Sequence, residues 1–201
     1  ITINADLISG DVTSQILKCA NLGSLTAFQN TSLYADLSVI MARCSKLVSL
    51  TCGGSKFFGG LSIFSSLPMT KIDLNYCSLV TGSVSELPVS VLTVILYNSA
   101  NITSGSLAHL ISARQIDLRS IPWLTADADV VIDSIWAARA NYTYVTPSLN
   151  IGGTNQAPTG TVGAPVEGTD WHQDGVTWIP LTAGAKIYDL AKNVNGEVRT
   201  A

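Results

Sequence analysis

Apolar residues recur along this chain in a nine-residue frame, with apolar side chains at the first, fourth and sixth positions and a small polar residue at the ninth. Three successive steps between instances of the frame are 22 residues long. A period of roughly 20 to 29 residues predicts stacked units, because one such unit cannot bury its apolar edge alone. Six instances share an apolar residue at the central, fourth position: Leu25, Leu50, Ile72, Val94, Ile116 and Leu149.

The frame resembles that of the leucine-rich repeat family, Leu-x-x-Leu-x-Leu-x-x-Asn or Cys, and the resemblance covers residues 1–154. It implies one short parallel strand per coil. We therefore expect an α/β solenoid of about seven right-handed coils, with a short parallel sheet on the concave face and irregular, 3₁₀ or helical segments on the convex face. The ninth side chain should satisfy backbone groups of a neighbouring coil. It is Asn30, Ser55, Cys77 and Ser99 in the first four instances, whereas Ile121 departs from the pattern.

Between the predicted strands, glycines are followed by apolar residues spaced three apart, as after Gly60, Gly82 and Gly105. This spacing is typical of a short helical or 3₁₀ turn that closes a coil. The longest such segment, residues 127–139, has helical spacing and cap candidates at Thr125 and Asp127.

The last residues, 155–201, break the frame and are interpreted as a C-terminal capping segment. Asp174 and Gly175 predict a turn between two short extended pieces. Residues 186–192 have helical spacing with Ile187 and Leu190 inward, and residues 197–200 could form a closing strand. The run Gly-x-Asn-x-Ala-Pro-x-Gly at 153–160 resembles the C-terminal cap of repeat proteins from Bacteroidetes-type bacteria and their phages.

Composition narrows the possible functions. The chain is 47% apolar and 12% charged, which predicts an ordered protein with a substantial core. Its net charge of −3 and its 11 scattered Lys and Arg residues argue against nucleic acid as a partner. The longest apolar runs, such as 89–97, are too short to span a bilayer, so membrane insertion is not expected. Because the chain starts at Ile1, we interpret it as a processed or excised piece of a larger protein.

The four cysteines are interpreted as structural. Cys19 and Cys44 precede the central residues of adjacent repeats by six positions, so a disulfide between them is conceivable. A ladder of buried thiols is the favoured alternative, because free Cys packs as a small hydrophobe. Cys52 and Cys77 occupy strand and ninth positions, and none of the four has the Cys-x-x-Cys spacing of a zinc site.

Catalysis has little support in the sequence. His109 stands among coil-closing leucines, and His172 stands between Asp170 and Asp174. An Asp-x-His-x-Asp run could ligate a divalent metal, but a polar turn is the commoner explanation. The chain lacks a P-loop, a serine nucleophile elbow and a His-Glu-x-x-His motif. We therefore expect no enzyme activity, no cofactor and no metal.

Binding is the better hypothesis. The third, fifth and seventh frame positions should point away from the core, so that their side chains form columns on a rigid surface. In the middle repeats these columns combine aromatic, charged and amide groups, a mixture that suits a glycan or a protein epitope. Alternatively, Asp73, Asp117 and Arg119 only pair with one another across strands. The candidate ligand-binding residues are Lys71, Asp73, Asn75, Tyr76, Tyr97, Gln115, Asp117 and Arg119.

Two function classes follow from this interpretation. The first is a non-enzymatic recognition module of a larger extracellular or virion protein, such as a phage tail receptor-binding part or a bacterial adhesin, with a cell-surface glycan or protein as partner. The second is a structural or assembly module of a virion or surface layer, packed against other domains or subunits. An intracellular inhibitor of a partner protein is a third, less favoured interpretation.

Overall fold

A computed structural model describes residues 9–27, 31–141, 148–160, 168, 171–174, 177–193 and 198–199, with the backbone alone described for 171–174, 177–179, 191–193 and 198–199. The strands are β1 Gly10–Asp11, β2 Ser24–Thr26, β3 Leu33–Asp36, β4 Ser49–Thr51, β5 Lys56–Gly60, β6 Lys71–Asp73, β7 Val80–Ser83, β8 Thr93–Ile95, β9 Ile102–Thr103, β10 Gln115–Asp117, β11 Ser148–Asn150, β12 Trp171–Asp174, β13 Thr177–Pro180 and β14 Val198–Arg199. The helices are α1 Thr13–Ile16, α2 Leu37–Arg43, α3 Thr125–Ala138 and α4 Ala183–Asn193, with 3₁₀ helices at Leu61–Phe64, Val84–Glu86 and Arg139–Asn141. The chain is thus an α/β protein.

The larger sheet has the order β14-β11-β10-β8-β6-β4-β2, and all its strands are parallel. We call it the first sheet. Its register aligns the six central apolar residues of the sequence frame, as predicted, with Ile72 opposite Leu50 on one side and Val94 on the other. Each of the six is at most 1% exposed, so the frame marks the core side of this sheet.

Ninth-position side chains were expected to bind backbone groups of a neighbouring repeat, and this holds for Cys77 and Ser99 but not for Ser55. Asn30 lies outside the described residues. Ser55 donates to the carbonyl oxygen of Cys52 in its own repeat, at 2.6 Å. Ser99 reaches back one repeat to the carbonyl of Leu74, also at 2.6 Å. In the last repeat the side chain that binds the backbone carbonyl groups is Asn155, one residue later than the predicted Thr154. Its amide donates to the carbonyls of both Leu118 and Ile151, whereas Thr154 is exposed.

A second parallel sheet has the order β1-β3-β5-β7-β9. The prediction of only irregular, 3₁₀ and helical segments between the strands of the first sheet is therefore wrong. The strands of the second sheet are staggered, so that the start of β7 pairs with the end of β5 through Gly59–Val80 and Gly60–Thr81. Such short pairings leave no run of alternating residues long enough to be recognised as a strand. The glycines within these strands are also residues that usually indicate a turn in a sequence.

The predicted turns are present in part. The segments after Gly60 and Gly82 form 3₁₀ helices, whereas the segment after Gly105 forms turns without a helix. The predicted helix at 127–139 is α3, which begins at Thr125, and the carboxylate of Asp127 accepts a hydrogen bond from the backbone N–H of Leu124. Helix α2 was not predicted from the sequence. Its first turn is capped by the side chain of Asp36, which accepts a hydrogen bond from the N–H of Ser38.

The C-terminal elements also match the expected pattern. An antiparallel hairpin, β12 with β13, flanks the predicted turn at 174–175, and α4 covers the predicted helical segment with Ile187 and Leu190 buried. Strand β14 adds to the first sheet beside β11. Helix α4 packs on α3, where the indole N–H of Trp136 donates to Asp189 at 2.8 Å. Ile187 and Leu190 join the same hydrophobic core as both sheets.

All four cysteines are free thiols in the structure. The Cys44 thiol lies 3.8 Å from the carbonyl oxygen of Cys19, and the Cys77 thiol lies 3.1 Å from that of Cys52. Burial raises the pKa of Cys52 well above its ordinary value and that of Cys77 to about 11. The buried thiols of Cys44, Cys52 and Cys77 therefore act as packing groups within the core, and those of Cys44 and Cys77 also contact backbone carbonyl groups.

None of the helices in the described part of the chain combines the length and the apolar character that crossing a membrane requires.

Candidate ligand-binding face

The candidate residues lie on the side of the first sheet that faces away from the core. In adjacent strands β6, β8 and β10, Thr93 lies between Lys71 and Gln115, and Ile95 lies between Asp73 and Asp117. Because successive side chains of a strand alternate between faces, these residues oppose the buried central positions. The predicted columns are therefore present in this sheet.

Backbone hydrogen bonds continue between repeats past the ends of the strands. The N–H of Tyr76 donates to the carbonyl of Tyr97 at 2.8 Å, and that of Asn98 donates to the carbonyl of Arg119 at 3.0 Å. The residues that follow each strand are thus held side by side by backbone hydrogen bonds, as the strands are. This part of the face, rather than the strand starts, carries most of the contacts between candidate side chains.

Asp73 is nearly buried and is paired within its own repeat. Its carboxylate accepts a hydrogen bond of 2.5 Å from the amide of Asn75 and lies 3.8 Å from the ammonium of Lys71. The side chain of Asn75 lies over Gly53 of the preceding repeat, where an added Cβ would come within 2.5 Å of its amide oxygen. Gly53 therefore leaves the space that lets Asn75 reach Asp73.

Asp117 is equally covered, at 8% exposure, and binds Arg119 through both carboxylate oxygens. The guanidinium donates from Nε at 2.9 Å and from Nη2 at 2.7 Å. This hydrogen bonding raises the pKa of Arg119, so the side chain stays charged. The alternative weighed from the sequence, pairing among Asp73, Asp117 and Arg119, holds for the last two, but within one repeat rather than across strands.

An aromatic cluster lies beside this ion pair. The rings of Tyr76 and Tyr97 pack edge to face, with centroids 4.9 Å apart and planes at 74°, and their hydroxyl groups are hydrogen bonded at 3.0 Å. That hydrogen bond raises the pKa of the Tyr97 phenol. The guanidinium carbon of Arg119 lies 4.8 Å from the centroid of the Tyr97 ring, within the range of a cation–π contact. We call Tyr76, Tyr97, Arg119 and Asp117 the aromatic cluster.

The structure separates the eight candidate residues into two groups. The aromatic cluster forms one contiguous chain of contacts, and Asp73 with Asn75 and Lys71 forms a second group on β6. Gln115 does not join either group: it is exposed at the start of β10, at the opposite end of the strand from Arg119.

One property of Tyr76 was missed from the sequence, namely its backbone conformation. Its φ is 57°, in the left-handed region that favours glycine. The same position of other repeats holds Gly54, Asn98, Ser120 and Gly153, all with positive φ. The eighth position of the frame contains Gly twice and Asn once, and that composition is a signal from which the turn could have been predicted.

The two histidine candidates for catalysis or metal binding do not form a site among the described side chains. The imidazole Nε2 of His109 is 2.9 Å from the carbonyl oxygen of Leu87, which places it in the packing between repeats. The Asp-x-His-x-Asp run lies outside the residues whose side chains are described. Among the described residues, no group of three His, Cys, Asp or Glu side chains is arranged to hold a metal ion.

Comparisons of this chain with protein-family models, curated proteins and solved structures found no match.

Proposed function

We propose that this protein is a non-enzymatic recognition module that binds a cell-surface glycan or protein on the outer face of its first sheet. The observation that carries the proposal is the aromatic cluster, in which Tyr76 remains 53% exposed although Tyr97, Arg119 and Asp117 hold it in place. Exposed aromatic rings beside a fixed Arg are the groups that most often dominate binding energy.

The proposed scaffold is a right-handed solenoid similar to leucine-rich repeat proteins. Six repeats aligned in register, with both sheets parallel and following chain order, support this interpretation. A solenoid of this kind presents one extended, rigid face whose side chains change from repeat to repeat without disturbing the core.

Binding explains the polar groups of this face better than catalysis does. The carboxylate of Asp73 is engaged by Asn75 and Lys71, and that of Asp117 by Arg119. A general acid or base needs a proton-transfer group that can reach the substrate, whereas here both carboxylates hold neighbouring side chains in position. Their arrangement favours a preorganised surface.

The proposed setting is the outer surface of a cell or virion, as part of a larger protein such as a phage tail protein or an adhesin. The low charge of the chain, 12%, and its polar face rich in Ser and Thr support this setting. If the larger assembly carries several copies of this module, weak single contacts to a densely presented receptor together give stable attachment.

The test is attachment of the fluorescently labelled protein to a panel of bacterial and animal cells. We expect attachment to at least one cell type, and we expect Tyr97→Ala and Asp117→Ala to weaken it. Tyr34→Ala is the matched control, because Tyr34 is 44% exposed but lies on β3 of the second sheet. Equal attachment by all three variants would contradict the assignment of the face, and attachment to none of the cells would contradict the function.

A second candidate function, assembly with further copies or subunits, is favoured by the outer side of the second sheet. There Tyr34 and Phe58 are 44% and 40% exposed, and Leu79, next to the paired Val80, is 49% exposed. Exposed apolar groups on one flank are typical of interaction surfaces. Sedimentation velocity across a concentration series, with Phe58→Ser as the comparison, distinguishes self-association from a monomer that binds a receptor.

A further inference from the structure

We propose that the ligand of this face is an electrically neutral saccharide, and that one of its sugar rings stacks on the side chain of Tyr76. The inference rests on the proposed function and names the class of ligand. It follows from four features of the described residues: the balance of charge on the face, the rigid support of one exposed ring, the amide side chains next to the two tyrosines, and the backbone conformation that presents this ring.

The charges of the candidate face cancel locally. Lys71 lies beside Asp73, and Arg119 binds Asp117 through two hydrogen bonds. In a complementary interface, a positive patch on one partner meets a negative patch on the other. An anionic ligand would therefore need a cationic side chain that is not already paired. The balance of these four residues favours a ligand without charge.

The ring of Tyr76 is exposed but not loosely held. Tyr97 packs against it and shares a hydrogen bond with its hydroxyl group, while Arg119 lies over the Tyr97 ring and is anchored by Asp117. A surface that is already ordered loses little conformational entropy on binding. Sugar rings combine an apolar C–H face with a rim of hydroxyl groups, and an aromatic side chain with a polar edge suits both.

Amide side chains stand next to both tyrosines of this cluster in the sequence. Asn75 precedes Tyr76 in the chain, and Asn98 follows Tyr97, and both are half-buried on this side of the sheet. Amide groups can donate to and accept from hydroxyl groups at once, as a saccharide requires. A ring for stacking together with neighbouring amide groups favours a sugar over a purely apolar ligand.

The backbone of Tyr76 gives an independent reason to assign it a role in binding. A bulky residue is unfavourable in the left-handed conformation, and the same turn position is filled by Gly54 and Gly153 in other repeats. Glycine at this position would make folding more favourable. A strained residue whose side chain is exposed is more readily explained by what the side chain contacts outside the protein.

The test is binding to an array of immobilised saccharides that includes neutral oligosaccharides and sialylated or sulfated ones. We expect the protein to bind at least one neutral saccharide, with an affinity that is unchanged between about 0.05 and 0.5 M NaCl because no charges are paired on binding. Tyr76→Asn should weaken binding by at least about tenfold, since it removes the ring. Tyr76→Phe keeps the ring and should retain most of the affinity, and Tyr34→Ala should bind as the unmodified protein does.

Asn is the chosen replacement because Asn98 already occupies the same turn, so the variant is expected to fold. Its fold is checked by circular dichroism, and Tyr76→Gly serves if it fails. Binding only to anionic saccharides, binding to no saccharide, or undiminished binding by Tyr76→Asn would each overturn the inference. If cells are still bound through Tyr97 and the attachment resists periodate but not protease, the ligand is a protein, and the proposed function survives while the inference fails.

Discussion

Tyr76 and Ser120, two repeats apart on the first sheet, both have a left-handed backbone, with φ of 57° and 53°. Between them Asn98 has a φ of 58°, and the flanking repeats place Gly54 and Gly153 at the same point. The N–H groups of Tyr76 and Ser120 each donate to a carbonyl of the next repeat. Hydrogen bonds between repeats therefore hold this turn at Tyr76, Asn98 and Ser120.

Ser120→Gly should raise the free energy of unfolding by roughly 0.5–1 kcal/mol, because glycine has no Cβ to crowd a left-handed backbone. The greater entropy of glycine when unfolded, and the loss of the long 3.4 Å hydrogen bond from the N–H of Thr154 to the Ser120 hydroxyl, offset only part of that gain. Urea denaturation measures the change. Ser65→Gly is the matched control: Ser65 has a φ of −56°, so glycine should lower stability there. Equal effects of the two substitutions would contradict the role of the turn.

Asn155→Ala should lower the free energy of unfolding by about 1–3 kcal/mol, because the carbonyl groups of Leu118 and Ile151 would both lose a donor near the end of the repeats. Thr154→Ala, at the exposed neighbouring position, should have almost no effect. Thermal or urea unfolding of the two variants compares them directly. A larger loss from Thr154→Ala would show that the frame continues unshifted into the last repeat.

The Asp117–Arg119 pair should contribute a coupling energy of about 1 kcal/mol in a double-mutant cycle with Asp117→Ala and Arg119→Ala. The value is modest because the Arg119 side chain is 40% exposed and water screens the pair. Arg119→Lys should lose most of this coupling, since an ammonium cannot form the paired hydrogen bonds of a guanidinium. A coupling near zero would indicate that the pair is held in place by its neighbours.

Stability should fall in alkaline solution because burial raises the pKa of Cys77 from 9.0 to about 11. Between these values the unfolded chain releases the thiol proton while the folded chain keeps it, so folding becomes less favourable as the pH rises. The loss from this group between pH 8 and pH 10 should be about 1 kcal/mol, measured by urea denaturation at each pH.

Cys77→Ser is the control for the alkaline effect, since serine already stands at the same position in the flanking repeats, as Ser55 and Ser99. This variant should lose less stability between the two pH values than the unmodified protein does. An identical pH dependence in both proteins would assign the effect to other groups, of which buried Cys52 is the first to examine.

Much of the candidate face could be predicted from the sequence. The period placed Asp73 and Asp117 in one column, and β6, β8 and β10 put them in that column in the structure. Their pairing partners could not be predicted, because side chains two residues apart on a strand and side chains on adjacent strands are both within reach. Only the packed structure shows that Asp117 binds Arg119 of its own repeat.

The sequence by itself determined the first sheet, because burying an apolar edge in stacked units requires the same positions to be apolar in each repeat, as Leu50, Ile72 and Val94 are. Only the tertiary structure decided the second sheet. Strand pairs as short as Gly59–Gly60 with Val80–Thr81 leave no local pattern, and they exist because neighbouring repeats supply the hydrogen bonds. The exposure of Tyr76 was decided in the same way, by a turn that the next repeat holds in place.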